Sequence, residues 1–274
     1  MRNTLHLLMI GVVLSVASCG ETGSGARSSA TRASSSTPSD STSQAPGISI
    51  VALGDSDTTG AGDPTGAGWV GRYAALVQEA TGKNVDTTNL AVEGMTSEQL
   101  LDVVRTDETA RQDIAHADIV LIGIGGADLN QGDENLMQGS CNGKACYTPV
   151  LRTFARNFDL TVKEVHAIAG NDALVRAVTL PNALPGAERI IPDFVTPEIS
   201  LYQAGSELRD ICSSMKAYGG ECVDVLHAFS GPNGTVDAYS KGLMNLQDCC
   251  YPSGKGQQLI AELLLETGLG SLGT

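Results

Sequence analysis

Basic residues are scarce in this chain of 274 residues, which has 17 lysines and arginines against 31 aspartates and glutamates. The formal net charge at pH 7 is −14. Nucleic-acid binding depends on clustered lysine and arginine side chains that neutralise phosphates, so this balance argues against nucleic acid as a partner. It favours a soluble, self-repelling surface, and we expect the domain to be a monomer.

Patterns that hold metal ions are missing as well. The chain has no Cys-x-x-Cys spacing, and no histidine lies at a ligand spacing from a cysteine pair. Zinc is therefore not predicted. The acidic residues Asp128, Asp133 and Glu134 match no calcium-binding loop, and a solvated acidic segment explains them better. We expect neither a metal ion nor a cofactor.

The first apolar run is too short to cross a bilayer comfortably. It extends over residues 7–16, follows Arg2, and leads into Val16-Ala17-Ser18-Cys19. Such a run is typical of a signal-peptide core. The small residues before Cys19 resemble the lipobox of bacterial lipoproteins. That resemblance implies a signal peptide over residues 1–18, a lipid on the Cys19 sulfur, and attachment to the outer face of the cell membrane. An ordinary secretory signal, and hence a secreted protein, is the alternative.

Residues 19–47 contain mostly serine, threonine, glycine, alanine and proline, with no large apolar side chain after Cys19. Such a segment buries too little surface to offset the entropy lost on ordering, so we predict a flexible tether. Residues 48–274 have a length suited to one α/β domain.

Apart from Cys19, the chain has six cysteines, at positions 141, 146, 212, 222, 249 and 250. An even number in an exported chain indicates disulfides. Cys141 with Cys146, and Cys212 with Cys222, are natural partners because they lie close in sequence. Cys249 and Cys250 then form a strained vicinal bridge, or each pairs elsewhere.

Apolar runs alternate with segments of helical periodicity through the rest of the chain. We predict strands at 48–53, 85–92, 118–126, 173–180 and 221–226, and helices at 69–80, 150–169, 197–218 and 254–265. A further helix begins after Thr96, a plausible N-cap. This alternation predicts a three-layer α/β/α sandwich with a central parallel sheet. Residues 130–149 are polar and are expected to form a lid-like loop.

Sites in parallel sheets form beyond the carboxyl ends of the strands. Residues 54–60, 89–94, 123–128 and 227–232 are therefore expected to converge. Among them, Ser56 follows a buried β-branched run and has Gly54 and Gly60 on either side, which allow sharp turns. A serine so placed is a candidate nucleophile, although an ordinary strand-to-loop turn would also favour these residues.

Four stretches together resemble the SGNH (GDSL-like) hydrolase family of esterases and lipases. Residues 54–60 resemble its first block, and residues 89–94 its second. Residues 125–128 fall where the Gly-x-Asn-Asp block is expected, and residues 248–252 where Asp-x-x-His-Pro is expected. The resemblance implies a flavodoxin-like fold and an ester substrate, either a small molecule or a lipid or glycan ester.

The resemblance also implies roles for single residues. Ser56 would be the nucleophile, the Ser56 and Gly94 amides would form the oxyanion hole, and Asp248 would orient the general base. Two positions depart from the family. Ala127 occupies the position of the family's asparagine, so the side-chain donor to the oxyanion is missing. Tyr251 stands at the histidine, and a phenol is a poor base at neutral pH.

Three interpretations remain open. His227 follows the last predicted strand at the expected edge and is a tentative base, whereas His116 lies at the opposite end of the sheet and His166 lies within a helix. Alternatively, Asp248 acts directly on Ser56 or on a water molecule. In the third interpretation, the fold is an inactive module that binds a lipid, ester or cell-wall glycan.

Overall fold

The computed structural model describes residues 47–170, 172–186, 195–247 and 250–273. Within them a parallel sheet has the strand order β2-β1-β3-β4-β5. Its strands are β1 (Ile48–Gly54), β2 (Val85–Asn89), β3 (Ile119–Gly123), β4 (Leu174–Val178) and β5 (Glu221–Val223). The predicted central parallel sheet is confirmed.

Helices follow the strands in the alternation that the sequence predicts. They are α1 (Ser56–Thr59), α2 (Gly68–Thr81), α3 (Ser97–Thr106), α4 (Glu108–Ala115), α5 (Gly126–Met137), α6 (Thr148–Ala169), α7 (Pro197–Tyr218), α8 (Val225–Ser230) and α9 (Gly254–Glu266). Short 3₁₀ segments cover Gly143–Cys146 and Gly270–Gly273. No helix in the described part of the chain is long and apolar enough to cross a membrane.

Strand β1 shows why the sheet needs a helical layer on each face. Ile48 and Ile50 belong to a core cluster that also contains side chains of α2 and α9. Val51 and Leu53 point to the opposite face, where they join side chains of α3, α6 and α7. Because successive strand residues alternate between faces, an apolar run such as β1 is stable only between two helical layers. The three-layer sandwich is thereby confirmed.

Local signals explain where several helices begin and which side they bury. The Thr96 side chain accepts a hydrogen bond from the Gln99 backbone amide, and the Gln99 side-chain oxygen accepts one from the Thr96 backbone amide. This pair is a capping box at the start of α3. In α6, the apolar stripe that includes Phe154 and Phe158 is at most 1% exposed. Its spacing of three to four residues keeps these side chains on one face.

The expected lid-like loop over residues 130–149 is wrong. Helix α5 extends to Met137, a 3₁₀ turn follows at Gly143–Cys146, and α6 begins at Thr148. Gly132 is the buried residue of α5, and the Tyr147 ring packs against it. A helix that buries so little has the polar composition of a loop, which is why composition misassigned it.

The last predicted strand is also too long. Strand β5 ends at Val223, and the Asp224 carboxylate accepts a hydrogen bond from the His227 amide at 2.9 Å, which caps α8. An aspartate N-cap therefore converts the remaining apolar residues into a short helix.

Disulfides join Cys141 to Cys146 and Cys212 to Cys222, as the spacing predicts. Cys250 is disulfide-bonded too. Cys249 lies outside the described residues, so the predicted alternatives for Cys249 and Cys250 stay predictions. Cys250 has a φ of 85°, in the left-handed region that residues other than glycine seldom adopt.

Candidate active site

The turn that carries Ser56 is fixed to the neighbouring strands by hydrogen bonds. Asp55, which is 1% exposed, accepts bonds from the amides of Asp57, Gly125 and Gly126 at 3.2, 3.0 and 3.1 Å. Burial raises its pKa to about 6, against the opposing effect of these three amides. One carboxyl group thus binds the serine turn to the loop that follows β3.

Gly54 is required by the close approach of two strands at this point. Its φ is 155°, and a Cβ atom there would lie 1.9 Å from the Gly123 carbonyl oxygen. That oxygen accepts a hydrogen bond from the Thr58 hydroxyl at 2.7 Å. The Asn89 side chain donates to the Thr58 carbonyl at 2.9 Å. The serine turn therefore contacts the ends of both strands that flank β1.

A cleft of about 490 Å³ lies at this carboxyl edge of the sheet. Ser56, Gly94, Ala127 and Tyr251 all line it. The structure thus brings together four positions that lie in four separate stretches of the sequence. Each stretch follows the carboxyl end of a strand or precedes the last helix, and parallel strands deliver such residues to one edge.

Tyr251 is held beside the serine turn through its backbone. Its carbonyl accepts a hydrogen bond from the Asn245 amide at 2.9 Å, and the Asn245 side chain donates to the Gly62 carbonyl at 3.1 Å. A Cβ atom on Gly62 would lie 2.6 Å from the Tyr251 Cβ atom. The chain thus presents position 251 to the cleft, and the residue presented is a phenol.

The histidines of the described segments take no part in this cleft. His227 is exposed on α8, its Nδ1 atom lies 2.6 Å from Asp224 Oδ2, and it is not among the lining residues. The His116 ring contacts the Gln112 carbonyl before β3, and His166 lies on α6. Residues 227–232 do not line the cleft either, and Asp248 lies outside the described residues.

Comparison with known proteins fits this arrangement. Residues 52–259 match the model of the GDSL-like lipase/acylhydrolase family. The chain belongs to that family. We call the protein an acylhydrolase after its family, and the match confirms the resemblance carried by the four sequence stretches.

Three relatives show how far this acylhydrolase has diverged. The uncharacterized protein YpmR of Bacillus subtilis (strain 168) is 43% identical over 83 residues, which are 30% of this chain and 32% of YpmR. The lipase Lip_vut3 from a goat rumen metagenome is 22% identical, with a TM-score of 0.68 over 82% of this chain and 99% of its own. A lipase/acylhydrolase from Enterococcus faecalis is 19% identical, with a TM-score of 0.57 over 81% and 96%. The structural likenesses establish the fold.

Sequence reasoning missed the acidic lining of the acylhydrolase cleft. Asp57, Glu93, Asp133 and Glu207 line it, and no lysine, arginine or histidine does so in the described part of the chain. Glu207 is 0% exposed, and neither of its carboxyl oxygens has a hydrogen-bond partner. Oδ1 of Asp57 is also buried without a partner.

Burial dominates the electrostatics of these carboxyl groups. It raises the pKa of Glu207 well above its usual value, with further contributions from nearby carboxylates, of which Asp128 and Asp55 are the largest. Burial, and to a smaller extent the neighbouring Asp55 carboxylate, also raise the pKa of Asp57 above its usual value. Asp128 accepts hydrogen bonds from the amide and hydroxyl of Ser97 at 2.8 and 2.5 Å, yet burial still raises its pKa.

The sequence of α7 does contain a signal for part of this acidic lining. Its buried face includes the polar residues Ser200, Gln203 and Glu207, spaced three and four residues apart. All three line the cleft. A helix whose inward stripe is polar must face another polar group or a cavity, because a buried polar group without a partner is destabilising.

We predict that Glu207→Gln stabilises the acylhydrolase increasingly as the pH rises from about 4.5. The folded-state pKa of Glu207 is raised, so the folded state binds its proton more tightly than the unfolded state. Ionisation therefore removes stability as the pH rises from the unfolded pKa through the folded pKa, and glutamine does not ionise. Urea unfolding at a series of pH values measures this, with the exposed Glu79→Gln as control. A difference in stability that stays constant over pH 4.5–8 would contradict the assignment.

Proposed function

We propose that the protein hydrolyses carboxylic esters with Ser56 as nucleophile. In this mechanism the Ser56 hydroxyl oxygen attacks the ester carbonyl carbon, and the alcohol leaves as an acyl-Ser56 ester forms. Water then attacks that ester, which releases the acid and restores the serine. Splitting the reaction in this way replaces one difficult step with two easier ones.

The observation that carries the proposal is a pair of free amides beside the serine. The backbone N–H groups of Ser56 and Gly94 form no hydrogen bond with any described residue, and both residues line the cleft. Ser56 is the first residue of α1, where helix geometry leaves the N–H group without an internal partner. Two such donors suit the negative charge that develops on the carbonyl oxygen of the transition state.

The proton-transfer group is the incomplete part of the proposed site. Ala127 and Tyr251 line the cleft, where the family has asparagine and histidine, and the described lining includes no histidine. We therefore propose a slow hydrolase in which a carboxylate, Asp248, assists Ser56. The same two substitutions favour the alternative of a module that binds an ester or glycan without hydrolysing it.

Labelling by a fluorophosphonate probe tests the nucleophile. The wild-type protein should be labelled and should hydrolyse short p-nitrophenyl esters, and Ser56→Ala should lose both properties because the attacking oxygen is gone. Ser213→Ala, at an exposed position on α7, is the matched control and should behave as the wild type. A folded protein that is not labelled at neutral or alkaline pH would favour the binding module.

Restoring the family residues should accelerate the reaction. Ala127→Asn should raise kcat by about 10²-fold, because removing one oxyanion donor from such an enzyme costs roughly 10²–10³-fold. Tyr251→His should raise kcat by about 10²-fold or more, since a positioned general base contributes roughly 10²–10⁴-fold. Tyr251→Phe is the control for loss of the phenol. If neither substitution increases the rate of ester hydrolysis, the reaction does not use the family arrangement.

We also propose that Cys19 carries a lipid that holds the acylhydrolase at the outer face of the cell membrane. The proposal is supported by the signal-like run before Cys19 and by the small residues next to it. Expressed in a bacterial host, the full chain should fractionate with membranes and incorporate labelled palmitate at Cys19. Cys19→Ser should abolish both. Recovery of the wild-type chain in the soluble fraction, without label, would support a secreted protein instead.

A further inference from the structure

The cleft beside Ser56 has side-chain charges of one sign only among its described residues. Its carboxyl groups belong to Asp57, Glu93, Asp133 and Glu207. The rest of the wall combines polar side chains, such as Ser200 and Gln203, with an apolar part that includes Leu129, Leu180, Pro181, Val195 and Ala204. A concave surface with one sign of charge and low-dielectric walls concentrates ligands of the opposite sign.

Glu207 is the member of this set that calls for a ligand. It lies on α7, is 0% exposed, and neither carboxyl oxygen has a partner. A Cβ atom on Gly125 would lie 2.8 Å from its Oε1 atom, so Glu207 lies directly behind the loop that follows β3. A buried carboxyl group without a hydrogen bond is destabilising and rare, and such groups often have a function.

The groups that face Glu207 offer it no positive charge. They are Asp55 and Asp57 from the serine turn, Asp128 from α5, and Asp210 from its own helix. All of these groups are carboxyl groups, so none of them supplies a positive charge to balance an ionised Glu207. A positively charged ligand would supply it.

We propose that the acylhydrolase binds esters that carry an organic cation, an ammonium or quaternary ammonium group, between Glu207 and Asp57, with the ester carbonyl at Ser56. The inference rests on the proposed role of Ser56. Asp57 directly follows the nucleophile, so it places the positive charge close to the reacting carbonyl. The apolar wall then contacts the methyl or methylene groups of the cation.

An organic cation fits the site better than a metal ion. No group of three or more histidine, cysteine, aspartate or glutamate side chains in the described segments is arranged to hold a metal. A cleft of about 490 Å³ with a partly apolar wall also has room for a bulky ammonium group. A quaternary ammonium group presents apolar methyl surface around its charge, so it contacts apolar walls at a lower desolvation cost than a small metal ion does.

The expected pH dependence follows from the carboxyl groups. A cation favours the ionised forms of Glu207 and Asp57, and their neighbours Asp55 and Asp128, whose pKa values are also raised, gain negative charge as the pH rises. Selection of cationic over neutral esters should therefore increase from acidic to neutral pH. A purely steric preference would not change in this way.

Three esters of similar shape test the proposal. Acetylcholine carries the cation, 3,3-dimethylbutyl acetate is its neutral isostere, and 3-sulfopropyl acetate carries a negative charge. At pH 7.5 the ratio of kcat/KM for the cationic ester to that for the neutral ester should be about tenfold, a modest value for a close charge pair. The anionic ester should be the poorest substrate.

Glu207→Gln and Asp57→Asn should each reduce that ratio toward one. Glu79→Gln, far from the cleft on α2, should leave it unchanged. A wild-type ratio of one or less, with the neutral ester hydrolysed, would overturn the proposal. So would a ratio that neither cleft variant changes. If Glu207→Gln does not fold, Asp57→Asn alone tests whether the ratio falls.

Failure of the proposed hydrolase function would be recognised separately, because the neutral ester would then not be hydrolysed. In that case, calorimetric titration of the full-length protein with tetramethylammonium and with Mg²⁺ decides the question. Binding of tetramethylammonium that is lost in Glu207→Gln supports the cation site without catalysis. No binding, or binding of Mg²⁺ alone, overturns it.

Discussion

The Asp55 carboxyl group is the constraint on which the site depends. Its side chain accepts three backbone amides, two of them from the loop after β3. This loop and the serine turn come from neighbouring strands, so a single buried side chain fixes their relative position. Backbone amides at the carboxyl edge of a sheet have no strand partner, and a buried acceptor satisfies them at low entropic cost. These three hydrogen bonds to Asp55 fix the turn that carries Ser56.

Burying one carboxyl group in this place affects its neighbours. Asp57, Asp128 and Glu207 all lie close enough to Asp55, or to one another, for their charges to interact. Each negative charge makes ionisation of the next group less favourable, and burial adds to the effect. These carboxyl groups therefore hold their protons more tightly than isolated carboxyl groups do, and a cation bound in the cleft would favour release of those protons. This behaviour arises from the arrangement of the carboxyl groups and not from any single residue.

Much of the fold could be predicted from the sequence because the signals are local. The strand at Ile119–Gly123 is apolar on both faces, and α7 begins and ends at the predicted Pro197 and Tyr218. The convergence of Ser56 and Gly94 follows from the rule that parallel strands end at one edge.

What could not be predicted depends on contacts between distant residues. Helix α5 buries only Gly132, so its composition is that of a loop. The placement of His227 depends on Asp224, which caps α8 and holds the imidazole at the surface. Glu207 comes to the cleft through tertiary packing that places its Oε1 atom 2.8 Å from where a Cβ atom on Gly125 would lie. Periodicity shows that Glu207 is on the buried face, but not what it faces.

The distribution of retained and lost groups in the site has a physical logic. The amides of Ser56 and Gly94 belong to the backbone, so they persist wherever the turn geometry persists, whatever side chains are substituted. The donor at position 127 and the base at position 251 are side chains, which a single substitution removes while the fold is kept. The chain retains the backbone amides, whose position the sheet edge fixes. It lacks the family's side-chain donor at position 127 and the family's base at position 251, which the sheet edge does not fix. Of the four acidic side chains that line the cleft, Asp57 and Glu93 lie within the first and second blocks, whereas Asp133 on α5 and Glu207 on α7 lie outside the four blocks. The proposed recognition of substrate by charge can therefore change on this scaffold independently of the proposed oxyanion hole.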